Sequence, residues 1–333
     1  MIIVSTGCPA GIGPEVSVAA AARLRDVPCV LVGDGRTLHA AAELTGVAAR
    51  RLVAFNGSPP PKGKIAVLQV GEPLSRAARK PGRPSRESGA AQLAYVNAAY
   101  DLARAGAGRA LATGPVSKAV IAKSGCPGSE VFLGHTEWLR DRDGAPAVVM
   151  CFVGKRLSTS LVTTHLPVSQ VAAAITPDGV SLATVWLGRL LGAVLGRPPR
   201  VAVAALNPHA GEEQLLGEEE FRSIVPGIRE AQRVLRRRAR VVGPIGAETA
   251  YRKAYAGQYD GVVGMYHDQA TIPMKLVQFG TAVNVTMGLS VVRTSVDHGT
   301  AYDVAWQGQA SPAGMVSALK LAAKLAPVKA LRR

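Results

Sequence analysis

Most histidines of this chain lie at the junctions between predicted strands and the loops that follow them. Five of the six histidines lie there beside small or polar residues, and these are His135, His165, His209, His267 and His298, whereas His39 falls on a predicted helix. Apolar runs directly precede three of them: 157–162 before His165, 201–206 before His209 and 261–265 before His267. Imidazole is a common ligand of Zn²⁺ and neighbouring transition metals. These three residues could hold one divalent cation, or each could be a hydrogen-bonded structural residue, because no local ligand spacing links them.

Two turns rich in glycine and proline each join a strand to a helix. The first, 7–15, is neither a GxGxxG nor a Walker A sequence, so a tight turn and a direct ligand contact both stay open. At the second, 113–118, Ser117 could cap the helix while Lys118 points to solvent. Alternatively, the junction's backbone N–H groups and Lys118 could face an anion.

The elements that must position these residues alternate between short β-branched runs and Ala/Leu-rich amphipathic stretches, which predicts an α/β fold. Strands are predicted at 2–6, 29–32, 65–70, 109–113, 147–152, 157–162, 201–205, 261–264 and 282–286. Helices are predicted at 14–25, 88–105, 177–195 and 311–325, with one more beginning near Glu218. Segments 147–152 and 157–162 flank Gly154-Lys155 and predict a hairpin, so we expect a mixed sheet.

Composition excludes several classes of protein. The four cysteines form no CxxC pair, which argues against a disulfide framework or a cysteine zinc site. No signal peptide is visible and no apolar run approaches the ~18 residues of a membrane span, so we expect a soluble, cytoplasmic protein without a membrane partner. The net charge of +16 is densest at 233–240, which we interpret as a solvated helix end. Aromatic residues are scarce and no nucleic-acid-binding motif is present, so we do not expect nucleic-acid binding as the main function.

Seven segments, in order along the chain, resemble the 4-hydroxythreonine-4-phosphate dehydrogenase family, also called the pyridoxal phosphate biosynthetic protein A family. The resemblance runs from Gly7 to about Leu325. The segments are 9–15 (PAGIGPE), 113–118 (TGPVSK), 134–137 (GHTE), 164–167 (THLP), 206–212 (LNPHAGE), 266–269 (YHDQ) and 293–301 (RTSVDHGTA).

The resemblance implies a site. It assigns the metal, which would be Zn²⁺, Mg²⁺ or Co²⁺, to His165, His209 and His267, contributed by both subunits of a homodimer. It assigns the phosphorylated substrate to His135, Thr136, Lys275, Asn284 and Arg293. Arg, Lys, Thr and His suit that role as donors to phosphate or carboxylate. One further block is similar to the cofactor loop of isocitrate and isopropylmalate dehydrogenases, which bind NAD or NADP without a Rossmann fingerprint. The resemblance therefore assigns the cofactor to Asp297, His298, Gly299, Thr300 and Asp303.

The resemblance also implies a fold and a reaction. The fold would be two α/β/α domains around a central cleft: residues 1–133 with about 290–333, and about 134–289 carrying the metal ligands and the dimer interface. The reaction would be NAD(P)- and metal-dependent oxidation of 4-phosphooxy-L-threonine to a 3-oxo acid, which loses CO₂ to give 3-amino-2-oxopropyl phosphate in vitamin B6 biosynthesis. Asp268 and Lys275 are the candidates for proton handling, and Asp268 could instead orient a histidine.

Two departures from the family pattern leave alternatives open. Cys8 stands where the family usually has an acidic residue, and segment 128–133 before His135 is unlike that of the best-known members. A 4-phospho-D-threonate or 4-phospho-D-erythronate dehydrogenase would use the same metal and cofactor residues. A three-histidine metal-dependent hydrolase and a non-enzymatic anion-binding protein are the more distant alternatives.

Overall fold

A computed structural model describes residues 1–108 and 110–332 of the chain. These residues form twelve strands: β1 (Ile2–Ser5), β2 (Cys29–Gly33), β3 (Leu52–Ala54), β4 (Ile65–Gln69), β5 (Ala110–Thr113), β6 (Val149–Val153), β7 (Ser158–Leu161), β8 (Arg200–Ala204), β9 (Arg240–Ile245), β10 (Gly261–Gly264), β11 (Val283–Met287) and β12 (Val292–Val296). Arg109, with which we predicted the fifth strand to begin, lies outside the described residues.

Eleven α-helices lie in the same described ranges: α1 (Gly13–Arg23), α2 (Gly35–Leu44), α3 (Arg86–Arg104), α4 (Lys118–Ser124), α5 (His135–Asp143), α6 (Val168–Ala174), α7 (Pro177–Leu195), α8 (Val225–Leu235), α9 (Ala247–Tyr255), α10 (His267–Gln278) and α11 (Ala313–Leu325). The helix predicted to begin near Glu218 is confirmed, and its first turn, at Glu220–Ile224, is a π-helical turn that continues directly into α8. The arginines that follow α8 are exposed, as a solvated helix end requires.

The chain divides into two compact units. Unit 1 comprises residues 1–146 and 289–327, and unit 2 comprises 147–288 and 328–332. This division differs from the predicted borders in two stretches. Residues 134–146, which include α5, belong to unit 1, and residues 328–332 belong to unit 2.

Unit 1 contains a parallel sheet in the order β3-β4-β2-β1-β5-β12. All residues of β1, β2, β5 and β12 are buried, which is typical of parallel strands covered by helices on both faces. Strand β12 pairs with β5 so that Arg293 lies opposite Leu111 and Ser295 opposite Thr113. This pairing brings residues about 180 positions apart in the sequence to one edge of the sheet.

Unit 2 contains a mixed sheet in the order β11-β6-β7-β10-β8-β9. Strands β6 and β7 form the predicted antiparallel hairpin, while β7, β10, β8 and β9 are parallel. The mixed α/β fold expected from the sequence is therefore confirmed. The carboxyl ends of β7, β10 and β8 lie side by side, and a histidine-bearing segment follows each of them.

Helix α7 bears on the expectation that no segment of the chain spans a membrane. Within the described ranges it is the one helix that is long and apolar enough to cross a membrane, by length and composition alone. In the structure it packs against α8 and against β6, β7, β8 and β10, and Leu187 and Leu190 are fully buried. The apolar side chains of α7 are therefore part of the core of unit 2.

Candidate active site

The rings of His165 and His267 lie together at the carboxyl edge of the unit 2 sheet. Their centroids are 5.8 Å apart. His165 follows β7, and His267 is the first residue of α10, immediately after β10. Both line a cavity of 150 Å³ together with Tyr266 and Asp268. Two of the three histidines that the sequence analysis grouped are therefore brought together within one chain.

The third histidine, His209, follows the neighbouring strand β8 but is exposed on its own loop. Among the residues that the structure describes, no group of three or more His, Cys, Asp or Glu side chains is placed to hold a metal ion. A complete three-histidine centre is consequently not formed by the described part of a single chain.

Asp268 fixes the ring of His267. Its Oδ1 lies 2.6 Å from His267 Nδ1, and Thr271 Oγ1 lies 3.5 Å from the same nitrogen. Because Nδ1 is held in this way, Nε2 is the ring nitrogen left to bind a metal ion. A carboxylate that orients a metal-binding imidazole through its other nitrogen is a recurrent arrangement. The donor set of His165 and His267 therefore fits a first-row divalent cation.

Gln269 joins the ends of two histidine-bearing strands. Its Oε1 accepts a hydrogen bond of 2.6 Å from Met265 N, and its Nε2 donates one of 2.9 Å to Ala205 O. The side chain thereby couples the end of β10 to the end of β8. This role was not predicted from the sequence, although Gln269 directly follows Asp268 in the YHDQ segment at 266–269.

The loop that carries His209 has an unusual backbone. Residues 209–214 all have positive φ, between 43° and 82°, and only Gly211 among them is a glycine. For residues with a Cβ this conformation costs on the order of 1 kcal/mol each. Such strain persists only where surrounding contacts impose it.

Buried Glu220 supplies such contacts. Its Oε1 accepts from the backbone N–H groups of Leu206 and Asn207, each at 2.8 Å, and its Oε2 accepts from Asn207 Nδ2 at 2.9 Å. Glu219 Oε2 accepts a second bond from the same Nδ2 group at 2.7 Å. The sequence gives no sign of this role of Glu220. Its hydrogen-bond partners, Leu206 and Asn207, are brought to it only when the loop folds.

In unit 1, Arg293 of β12 is the centre of a cluster of polar side chains. The guanidinium is buried and donates to Thr113 Oγ1 from Nε at 3.2 Å and from Nη2 at 2.7 Å. Its Nη1 lies 3.5 Å from Thr136 Oγ1. Burial lowers the pKa of Arg293 to about 10, and nearby Glu137 opposes that shift, so the group stays charged at neutral pH.

His135, at the start of α5, belongs to the same cluster. Burial, and then the positive charges of Arg293 and Lys118, lower its pKa well below the usual value, so the ring is neutral at pH 7. The ring packs edge-on against Phe132, with centroids 6.1 Å apart. Its Nε2 is inaccessible to solvent and has no hydrogen-bond partner in the described structure. A neutral imidazole nitrogen without a partner, beside a buried guanidinium, suits a bound oxyanion.

Lys118 also points toward this cluster. A Cβ on Gly134 would lie 3.4 Å from Lys118 Nζ and 3.0 Å from Glu137 Oε2, so both side chains approach the start of α5 closely. Of the two interpretations left open for the 113–118 junction, the capping role of Ser117 is realised, because its Oγ accepts from Val120 N. Lys118 nevertheless lies beside the cluster.

The segment 7–15 supports the predicted cofactor loop. Ile12 N donates to Thr300 O at 3.0 Å, and a Cβ on Gly11 would lie 2.8 Å from the same oxygen. Buried Glu15 accepts from Trp306 N at 2.8 Å. Cys8 Sγ lies 3.3 Å from Tyr302 Oη. Cys8, which occupies a usually acidic position, thus contacts the loop through a tyrosine.

The loop itself has features of a ligand site. His298 Nδ1 lies 3.0 Å from Gly299 O, while its Nε2 is buried without a partner among the described residues. Ala301 and Trp306 have φ values of 43° and 63°, which are strained for residues with a side chain. An orphaned imidazole nitrogen on a strained loop fits the cofactor contact that the resemblance implies.

Two further predicted substrate residues lie in unit 2. Asn284, on β11, has a buried Oδ1 without a hydrogen-bond partner in the described residues. Lys275 is exposed on α10. The orphaned amide of Asn284 could accept a donor from a ligand.

Comparison with known proteins identifies the family of this chain. A family model described as pyridoxal phosphate biosynthetic protein PdxA matches residues 25–322. The chain belongs to this family.

Relatives with known names are similar to this chain over nearly its whole length. A 4-hydroxythreonine-4-phosphate dehydrogenase of Acidithiobacillus ferrooxidans is 40% identical over 328 residues, covering 97% of this chain and 96% of the relative. The crystal structure of the Klebsiella pneumoniae 4-hydroxythreonine-4-phosphate dehydrogenase has a TM-score of 0.81 and 34% identity, covering 98% and 99% of the two chains. A terephthalate 1,2-cis-dihydrodiol dehydrogenase of Burkholderia xenovorans has a TM-score of 0.70 and 30% identity over 97% of each chain. These relatives of the PdxA-family chain are all named as dehydrogenases, which are oxidoreductases.

Proposed function

We propose that this protein is a metal- and NAD(P)-dependent 4-hydroxythreonine-4-phosphate dehydrogenase that acts in the cytoplasm. It would oxidise 4-phosphooxy-L-threonine to a 3-oxo acid, which loses CO₂ to give 3-amino-2-oxopropyl phosphate. The cluster of Arg293, Thr136 and His135 is the observation that supports this most strongly, because it suits an oxyanion and the 40% identical relative of Acidithiobacillus ferrooxidans is a dehydrogenase named for a phosphorylated hydroxy acid.

The phosphate group is assigned to the Arg293 cluster. A buried guanidinium presents several directed N–H groups to a phosphate. Thr136 supplies a hydroxyl donor, and Lys118 adds positive charge. Binding energy from a phosphate that takes no part in the chemistry can be used to position the reacting carbon.

The reacting hydroxyl is assigned to the His165 and His267 side of unit 2. When bound, a divalent metal ion would polarise the hydroxyl and a nicotinamide cofactor would accept the hydride. His165 and His267 would hold the metal through ring nitrogens, with Asp268 fixing the orientation of His267. Lys275 or Asp268 would take the hydroxyl proton, and Asn284 would bind a polar group of the substrate.

The cofactor is assigned to the loop with Asp297, His298, Gly299, Thr300 and Asp303. Its backbone is supported from the 7–15 segment through Ile12 and Glu15. The unpartnered Nε2 of His298 would bind the cofactor.

We further propose a homodimer in which the third metal ligand is His209 of the partner subunit. Helix α10, which begins with His267, exposes 57% of Ile272 and 83% of Leu276, and Phe279, directly after the helix, is 72% exposed. Leu215 and Phe221, near the His209 loop, are also exposed. Apolar side chains concentrated around the histidines are typical of a subunit interface.

A substrate panel tests this proposal. The purified protein, supplied with Zn²⁺ or Mg²⁺ and with NAD or NADP, is offered 4-phosphooxy-L-threonine, 4-phospho-D-threonate and 4-phospho-D-erythronate, and reduced cofactor is followed at 340 nm. We expect preferential turnover of the L-threonine derivative. Turnover of the D-acids alone would refute the substrate assignment but retain the chemistry. Hydrolysis of a phosphate ester without reduction of the cofactor would contradict the dehydrogenase.

A further inference from the structure

Unit 1 has a large basic cavity next to the predicted cofactor loop. Its volume is 710 Å³, and it is lined by Thr37 and Ala40 of α2, by Arg76, Ala77, Arg79, Lys80 and Pro81, and by Trp306. Three of these eight residues are cationic and none is acidic. A cavity of this size can hold a nucleotide.

The three cations form no ion pair within the described part of the chain. Arg76, Arg79 and Lys80 form no side-chain ion pair or hydrogen bond among those residues, and Arg79 Nε is buried without a partner. Burying a guanidinium N–H group without a hydrogen-bond partner is costly. A bound anion would remove that cost.

Two nearby carboxylates bind neutral backbone N–H groups around the cavity and form no ion pair with its cations among the described residues. Asp34 accepts from Thr37 N at 2.8 Å and from Leu74 N at 3.0 Å. Glu87 accepts from Ser75 N at 2.9 Å and from the Ser75 hydroxyl. The segment that carries the cations is thereby fixed to α2 and α3, while the cationic groups themselves stay available.

Trp306 adds an aromatic surface to the cavity. Its backbone is in the left-handed region, with φ of 63°, and its N–H is bonded to Glu15. The indole Nε1 donates to Pro9 O at 3.1 Å, so the ring has a fixed position. Nucleotide bases bind to aromatic faces of this kind by stacking.

We propose that this cavity binds the adenosine 2′-phosphate end of NADP(H), so that the protein selects NADP over NAD. This inference rests on the proposed dehydrogenase function and names its cofactor. The 2′-phosphate lies on the ribose that carries the adenine, so an indole and three cations side by side match both groups. Arginine is the usual recognition group for that phosphate, whereas NAD presents a neutral hydroxyl there. NAD would therefore offer no phosphate to the three cations.

Binding measurements on the intact protein test the proposal without turnover. Isothermal titration calorimetry is performed with NADP, NAD, 2′,5′-ADP and 5′-AMP at about 0.15 M salt, where weak surface attraction is screened. We expect NADP to bind at least roughly tenfold more tightly than NAD, and 2′,5′-ADP to exceed 5′-AMP by a similar factor. Because neither small nucleotide needs metal or substrate, the result is independent of catalysis.

Variants identify the cavity as the source of the preference. Arg79→Gln should reduce the NADP preference to within about threefold while leaving the NAD affinity unchanged. The double variant Arg76→Gln, Lys80→Gln changes only exposed side chains, so it provides the same test if Arg79→Gln does not fold. Arg25→Gln is the matched control, since it removes an exposed positive charge of unit 1 outside the cavity lining.

Three outcomes would overturn the proposal. Equal or tighter binding of NAD would remove the cofactor selectivity and leave the dehydrogenase standing. An equal loss of NAD and NADP affinity in Arg79→Gln would place the shared pyrophosphate in the cavity instead of the 2′-phosphate. Binding of neither dinucleotide, by protein that is shown to be folded, would refute the dehydrogenase function together with this inference.

Discussion

Arg293 and Thr113 meet across the parallel pairing of β12 and β5. One hydroxyl oxygen accepts from both Nε and Nη2 of the guanidinium, which leaves Nη1 directed at Thr136. Thr113 therefore sets which N–H groups of Arg293 can reach a ligand. This contact makes the orientation of a buried cation depend on a residue far away in the sequence.

Replacing Arg293 should damage catalysis more than folding. Arg293→Ala removes charge-assisted hydrogen bonds to the substrate phosphate, and we expect kcat/KM to fall roughly 100-fold or more. Arg293→Lys should recover only part of this loss, because a single ammonium cannot reproduce the guanidinium fork. Steady-state kinetics and thermal melting measure the two effects. Losses of stability and activity in proportion would show that Arg293 has a structural role only.

Complementation between inactive subunits tests the shared metal site. His209→Ala and His267→Ala proteins should each be inactive, and mixing them should restore about one quarter of the wild-type activity. Random pairing makes half of the dimers mixed, and each mixed dimer has one intact site. Mixing His165→Ala with His267→Ala is the control and should restore nothing, because every site then lacks a ligand. No recovery in mixed dimers detected by native mass spectrometry would contradict the assignment.

Two substitutions of Asp268 separate its possible roles. If Asp268 orients His267, Asp268→Ala should weaken metal binding roughly 10- to 100-fold. Asp268→Asn should weaken it less, because the amide oxygen can still accept from Nδ1. With the metal at saturation, kcat of Asp268→Asn should stay within about threefold of wild type. A much larger fall in kcat with unchanged metal affinity would identify Asp268 as the base.

Glu220→Gln should destabilise the loop that carries His209. The glutamine NH₂ group would oppose the Asn207 amide, which now donates to Glu220 Oε2. We expect a loss of about 1–3 kcal/mol in the free energy of unfolding, measured with urea. Glu218→Gln, at an exposed position nearby, should change it by less than about 0.5 kcal/mol. Equal effects of the two substitutions would mean that Glu220 does not hold the loop.

Asp260 should make stability depend on acidic pH. Burial raises its pKa, but hydrogen bonds and charge from Arg197 and Arg200 outweigh this effect and hold the pKa well below its usual value. The contribution is therefore fully present above the unfolded pKa of about 4 and is lost as the pH falls below it. Asp260→Asn should cost more stability at pH 7 than at pH 3, as urea unfolding at both pH values can measure. A cost that does not change with pH would contradict this linkage.

Local patterns in the sequence were sufficient for many single elements. The α7 range was predicted correctly to the residue, and the β6–β7 hairpin follows from two apolar runs around Gly154-Lys155. The positions of His165, His209 and His267 after strands were also predicted, because apolar β-branched runs that end in polar residues mark strand ends. Strand β12 was missed, since its buried residues include Arg293, Thr294 and Ser295, which break the apolar pattern.

Which residues meet was decided only by the tertiary structure. The sequence order of β7, β8 and β10 does not reveal that β10 lies between the other two, so it could not pair His165 with His267. It likewise could not place Thr113 against Arg293, assign Gln269 to two strand ends, or collect Arg79 and Trp306 around one cavity. The spacing of apolar residues along a segment indicates only whether that segment is a helix or a strand and which of its faces is buried. The neighbours of a parallel strand depend instead on long crossover connections and on packing against helices, which no local window contains.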